Sequence, residues 1–222
     1  MIKKIKRLIY KRLIPILKIC KYISWKYYLR TANEIKIVVG AGGTKFKNWF
    51  DTDIDTLNVT NEEDFRKYFS KKKIKKILVE HVLEHLKDNE LDLMIKNFYK
   101  YSDKDINIRI AVPDGCHTDT KYIERVKPGG TGEGANDHKH LFDYKSLAQV
   151  FLKHGFEAEP IEYWDEEGNF HTKYKNDENG YISRSFINDE RNNNGKPNYT
   201  SLIIDFSKKL EIIASLQTLI IK

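Results

Sequence analysis

The sequence predicts an α/β fold: a largely parallel sheet with helices on both faces. Short apolar runs alternate with amphipathic segments along most of the chain, the pattern of strand–helix–strand units. The first run, Ile37-Val38-Val39, is unbroken, as expected of a strand covered on both sides. It ends in Gly40-Ala41-Gly42-Gly43, where the backbone can turn sharply and approach a ligand with no Cβ in the way. In open α/β sheets, ligands bind beyond the carboxyl ends of the strands, so a nucleotide-like cofactor belongs at this turn.

Strands are expected at 35–40, 49–54, 75–80, 106–112, 157–164 and 200–207. Between them, Thr60-x-x-Glu63 reads as a capping box opening a helix to about Ser70. Leu91, Ile95 and Phe98 repeat at helical spacing over Asp88 to about Tyr101. Residues 144–154 carry Leu147, Val150 and Phe151, followed by Gly155 at a position suited to a helix stop. Residues 165–199, rich in Asp, Glu, Asn and Gly, form a long polar insertion. The organisation is thus an arm at 1–33, a main domain at 34–208 and a terminal helix at 209–222.

The net charge of +7 is confined to the arm. Residues 1–30 hold ten Lys or Arg and no acid, which leaves 29 basic against 32 acidic residues in the rest. The main domain therefore lacks the basic face that nucleic-acid binding needs. Ile2, Ile5, Ile9, Leu13, Ile16, Cys20, Ile23 and Tyr27 recur every three or four residues, with Pro15 marking a kink or the first turn of a second helix. Such a basic amphipathic arm suits an anionic membrane surface, or packing on the domain or on a second copy of the chain in a homodimer. The segment Leu210–Ile221 has a similar stripe. No run approaches the roughly 20 apolar residues of a membrane span. Two cysteines, Cys20 and Cys116, without a secretory signal point to the cytoplasm, at the inner face of the membrane if the arm meets lipid.

His81-x-x-Glu84-His85 matches the inverted zinc-protease pattern, but that pattern needs one long helix, and here His81 directly follows a strand. No metal ligand is assigned on this basis. Glu80 and His81 instead stand at the end of a strand beside the glycine turn.

The run Val39-Gly40-Ala41-Gly42-Gly43-Thr44, Trp49-Phe50-Asp51-Thr52-Asp53, the Glu80-His81-x-x-Glu84-His85-Leu86 block and Ala111-Val112-Pro113-Asp114-Gly115 together resemble a predicted class I S-adenosylmethionine-dependent methyltransferase family associated with cell-surface polysaccharide biosynthesis. His138-Lys139-His140-Leu141-Phe142-Asp143-Tyr144, Gly155-Phe156 and the strand Ser201–Phe206 extend the resemblance over about residues 35–207. It implies a Rossmann-like sheet whose last strand is antiparallel, and S-adenosylmethionine as cofactor. It also implies that Gly40, Ala41, Gly42 and Gly43 pass beneath the cofactor, that Asp53 accepts from the ribose hydroxyls, that Asn58 reads the adenine, and that Glu80 and His81 line the methionine end. Two departures stand out. Val38 replaces an expected acid, and only about nine residues separate the first two strands, where a parallel crossover usually takes about a dozen or more.

Methyl transfer to a hydroxyl benefits from a base of near-neutral pKa. His140 is the preferred candidate, with Asp114, His138 and His117 behind it and Asp137 or Asp143 to orient an imidazole. Gly129–Gly134 reads as a lid, and Arg184 and Arg191 as a grip for an anionic sugar or glycan acceptor. Two other readings compete: a non-catalytic cofactor-binding scaffold in a membrane-associated glycan complex, and an enzyme on a dinucleotide-type fold. The second lacks the full G-x-G-x-x-G.

Overall fold

A computed structural model describes residues 2–42 and 45–209. Gly43 and the expected terminal helix lie outside the described residues. The chain order is α1 (Ile2–Thr31), β1 (Ile35–Val39), β2 (Phe50–Asp51), α2 (Glu62–Phe69), β3 (Ile74–Glu80), α3 (Asp88–Tyr101), β4 (Ser102–Pro113), α4 (Thr120–Val126), α5 (Tyr144–Leu152), β5 (Phe156–Trp164), β6 (Phe170–Thr172) and β7 (Ser201–Lys208).

The strands form one mixed, Rossmann-like sheet in the order β2-β1-β3-β4-β7-β5-β6. β2, β1, β3 and β4 are mutually parallel, whereas β7 runs antiparallel between β4 and β5. The expected antiparallel last strand is therefore present, and it sits inside the sheet.

Side-chain alternation divides the core in two. Ile77, Val79, Ile108, Ile110, Leu202 and Ile204 face a cluster with Phe65, Phe69, Met94, Phe98 and Phe151, contributed by α2, α3 and α5. The intervening Val38, Leu78, Ala111 and Ile203 face Ile161, Tyr174 and Ile182 instead. Helices on both faces were expected. The second core face is covered by the polar insertion, whose isolated Tyr174 and Ile182 supply the apolar cover.

Polar pins hold that insertion down. Arg109 on β4 is buried and donates two parallel hydrogen bonds, each 2.8 Å, to the Asp205 carboxylate on β7. The same guanidinium reaches Asp177 Oδ1 and the Gly180 carbonyl, both at 2.9 Å. Glu162 on β5 accepts from the Phe186 amide at 2.8 Å.

The short first crossover is explained by a vestigial β2, which pairs with β1 only through Ile37↔Phe50 and Val38↔Asp51. No helix lies between β1 and β2 among the described residues. α1 covers this side of the sheet: Trp25 is fully buried, with its ring centroid 4.6 Å from Phe50 and 5.9 Å from Phe69. α1 is assigned as one helix through Pro15, not two. At α2, Asn61 rather than Thr60 is the N-cap and accepts from the Glu63 amide. Gly155 follows α5 with φ of 83°, as expected of a helix stop.

Candidate functional site

β1 and β3 are parallel neighbours, so the turns that follow them lie side by side. Gly40 has φ of 61°, and a Cβ there would collide with Val82 Cγ2; only glycine suits this position. His81, the first residue past β3, has φ of 54°, an unusual backbone state for a side-chain-bearing residue, and its amide donates to Ala111 O. Between these turns lies a hollow of about 280 Å³. Its floor is the 38–42 backbone, and its sides are Leu78, Glu80, His81, Ser183 and Arg184. The Glu80 carboxylate closes one wall by accepting from the amides of Ser183 at 3.1 Å and Arg184 at 2.9 Å.

A second hollow of about 290 Å³ shares His81 and Arg184 with the first. Glu84, His85, His138, Arg125, Arg191 and Tyr199 also line it. A 3-10 turn over Leu83–His85 presents Glu84 and His85, and the Glu84 carbonyl accepts from the Lys139 amide at 2.6 Å, which brings His138 alongside. Glu84 is fully buried. Burial pushes its carboxyl up, but His81 Nδ1 at 3.1 Å, its own backbone amide and His85 together hold it below its ordinary value. His81 Nε2 lies 3.0 Å from Ser201 Oγ, so both nitrogens of that ring are engaged. Arg191 is held by Asp189 and stacks 3.2 Å over the Tyr199 ring, presenting a fixed positive wall.

Of the residues expected to hold a cofactor, Gly40, Ala41, Gly42, Glu80 and His81 line the first hollow. Asp53 and Asn58 do not. The Asp53 carboxylate is 2.8 Å from Lys21 Nζ of α1. Asn58 Oδ1 accepts from the amide and hydroxyl of Thr60.

Among the candidate bases, His138 alone lines either of these two hollows. His140 stacks on Phe142 with its Nε2 3.5 Å from Asp88 and faces neither hollow, because Leu141 and Phe142 lead straight into the cap of α5. Asp114 is buried and accepts from the amides of Trp164 and Cys116, and burial pushes its carboxyl up to about 7. It ties β4 to β5 and lines neither hollow. His117 is stacked on Tyr122. Asp143 caps α5, whereas Asp137 lies 3.4 Å from His85. Arg184 and Arg191, expected at an acceptor site, both line the second hollow, and Gly132 and Glu133 of the expected lid form part of its wall. Sequence reasoning missed Ser183, Arg125 and Tyr199, which carry no motif. It assigned Glu84 and His85 no role, although their pattern had been legible.

No family model matches the chain, and no curated protein matches it. Solved structures similar to it include LepI in complex with SAM, at 9% identity and a TM-score of 0.40, covering 84% of this chain and 39% of that one. A SAM-dependent methyltransferase from Archaeoglobus fulgidus is similar at 14% identity and a TM-score of 0.45, covering 91% of this chain and 94% of that one. The plantazolicin methyltransferase BpumL, in complex with SAH and a pentazolic desmethylPZN analogue, is similar at 14% identity and a TM-score of 0.42, covering 94% and 91%. The chain spans well under half the length of LepI. At these values the likeness assigns no residue a role, and the chemistry of the two hollows comes from this chain's own geometry.

Proposed function

We propose that the chain is an S-adenosylmethionine-dependent methyltransferase acting on an oxygen of a sugar or glycan precursor. One observation carries this reading: two hollows, one floored by a glycine turn at the carboxyl end of β1 and the other lined by imidazoles and guanidinium groups, meet at His81 and Arg184. The first offers close backbone approach at Gly40–Gly42, with Glu80 and His81 at its sides, as a small polar cofactor requires. When bound, the sulfonium supplies an activated methyl group. The chain must then align the acceptor oxygen and exclude water. Arg125, Arg184 and Arg191 give the second hollow a positive wall for an anionic acceptor. The glycan assignment rests on the sequence resemblance.

Calorimetric titration with S-adenosylhomocysteine tests the reading, using wild type and Gly40→Val. Saturable binding to wild type, lost in a folded Gly40→Val, is expected. Undetectable binding to wild type at millimolar ligand would end the methyltransferase proposal.

The outward face of α1 supports a second element of the proposal, attachment to an anionic membrane surface. No helix among the described residues is long and apolar enough to cross a membrane. Trp25 faces the domain, while Ile16, Ile19, Ile23 and Tyr27, about half a turn round the helix, are exposed, Tyr27 at 69%. Ile16, Cys20, Ile23 and Tyr27 of the stripe that the sequence singles out therefore point away from the core. With ten basic residues and no acid in residues 1–30, its charge complements anionic lipid.

A further inference from the structure

The second hollow holds a donor set that methyl transfer alone leaves without a task. Glu84, His85 and His138 each present a ligand atom, and the three atoms lie within 4.8 Å of one another. The Glu84 side chain is fully buried, its Oε1 meets His81 Nδ1 at 3.1 Å without a well-directed hydrogen bond, and its Oε2 accepts none. A buried carboxylate with one poorly directed partner remains under-satisfied, and a cation facing its free oxygen lowers that cost.

Both imidazoles are oriented as metal ligands usually are. His138 Nδ1 donates to the Val126 carbonyl at 2.6 Å, which fixes its tautomer and leaves Nε2 free. His85 Nδ1 lies 3.4 Å from the Asp137 carboxylate, a carboxylate–imidazole pairing of the same kind. The two rings meet edge to face with centroids 4.7 Å apart.

We propose that Glu84, through its carboxylate, and His85 and His138, through Nε2, bind a first-row divalent cation such as Mn²⁺, Fe²⁺, Co²⁺ or Zn²⁺. Two imidazoles and one carboxylate favour these ions over Mg²⁺ or Ca²⁺, which prefer all-oxygen shells. Three protein ligands leave coordination positions open toward the hollow, as in catalytic rather than structural sites. Those positions suit an oxygen donor, and a hydroxyl bound there becomes more acidic. An acceptor carrying a hydroxyl, or two adjacent hydroxyls able to chelate, is the matching ligand class. That use rests on the methyltransferase reading; cation binding itself does not. The ligands come from a 3-10 turn and a distant loop, so the long helix that the zinc-protease pattern demands is not required.

The test is titration of the full chain with MnCl₂, followed by loss of the free-ion EPR signal, and with CoCl₂, followed by its visible absorption. One equivalent bound per chain is expected. Glu84→Gln and His138→Ala should each weaken it by about tenfold or more, and His140→Ala should leave it unchanged. Should Glu84→Gln fail to fold, His138→Ala carries the test, because His138 is only half-buried. S-adenosylhomocysteine binding is measured on the same samples. Retained nucleoside binding without cation binding overturns the metal site alone, and cation binding without nucleoside binding overturns the methyltransferase reading alone. Cation binding unaffected by either substitution places the ion elsewhere and also overturns the proposal.

Discussion

The Glu80 carboxylate and the Arg184 amide, 104 positions apart in sequence, are joined by a 2.9 Å hydrogen bond. This contact, with its Ser183 companion, sets the insertion against the end of β3 and encloses the first hollow. Glu80→Ala removes both acceptors, and each lost hydrogen bond to a charged group is worth roughly 1.5–3 kcal/mol. S-adenosylhomocysteine affinity should fall by about tenfold or more, and the amides of residues 183 and 184 should exchange faster with solvent. Calorimetry and hydrogen exchange read these two effects. Unchanged exchange at 183–184 would show that the insertion is held without Glu80.

Lys21 of α1 sits 2.8 Å from Asp53 and 3.5 Å from Asp51. If Asp53 serves the ribose hydroxyls, as the family resemblance implies, Lys21 competes with the cofactor for it. The groups are partly exposed, so the ion pair is worth only about 0.2–1 kcal/mol. Lys21→Ala should therefore tighten S-adenosylhomocysteine binding by up to about fivefold, and Asp53→Ala should weaken it. No change with either variant would remove Asp53 from the site.

Much of this architecture could be read in advance, and the exceptions have physical causes. β1, β3, β4 and β7 stand out as runs rich in Ile and Val, β5 by its bulky Phe156, Ile161, Tyr163 and Trp164, and α3 and α5 by a helical period over several turns. α4 offers only two buried apolar residues, Tyr122 and Val126, too few to register a period. β6 is three residues long. The covering role of the insertion was hidden because Tyr174 and Ile182 stand alone among polar neighbours, and Arg109 meets Asp177 across 68 positions. For the site, the glycine turn and the Glu80-His81 strand end were legible because both are local. Choosing among His138, His140 and His117 was not, because the loops after β4 decide which ring faces the hollow.

Glu162 is fully buried on β5, and burial raises its carboxyl to about 8 although the Phe186 amide and the Thr172 hydroxyl favour its charged form. The native state therefore keeps a proton that the unfolded chain releases above about pH 4. From there to about pH 8 the native state binds more protons, so this group's stabilising contribution declines with rising pH and is gone above that range. Asp114, raised to about 7, slopes the same way. Glu162→Gln keeps an acceptor for Phe186 and cannot ionise. Its thermal midpoint should drop less than that of wild type between about pH 5 and pH 9. Equal slopes would mean that Glu162 titrates normally in the folded protein.

Deleting residues 1–30 would not isolate the role of the arm, because the deletion also removes Trp25 from the core. Substitutions on the outward face avoid this. Ile19→Glu with Ile23→Glu changes two exposed positions, so folding should be retained while both apolar contact and charge complementarity to anionic lipid are lost. Wild type should co-sediment with vesicles containing phosphatidylglycerol, less so at high salt, and poorly with phosphatidylcholine alone. The double variant should remain in the supernatant. Vesicle binding that survives both substitutions would move the lipid contact elsewhere. A dimer that dissociates on substitution, with no vesicle binding by wild type, would assign the stripe to a second copy of the chain.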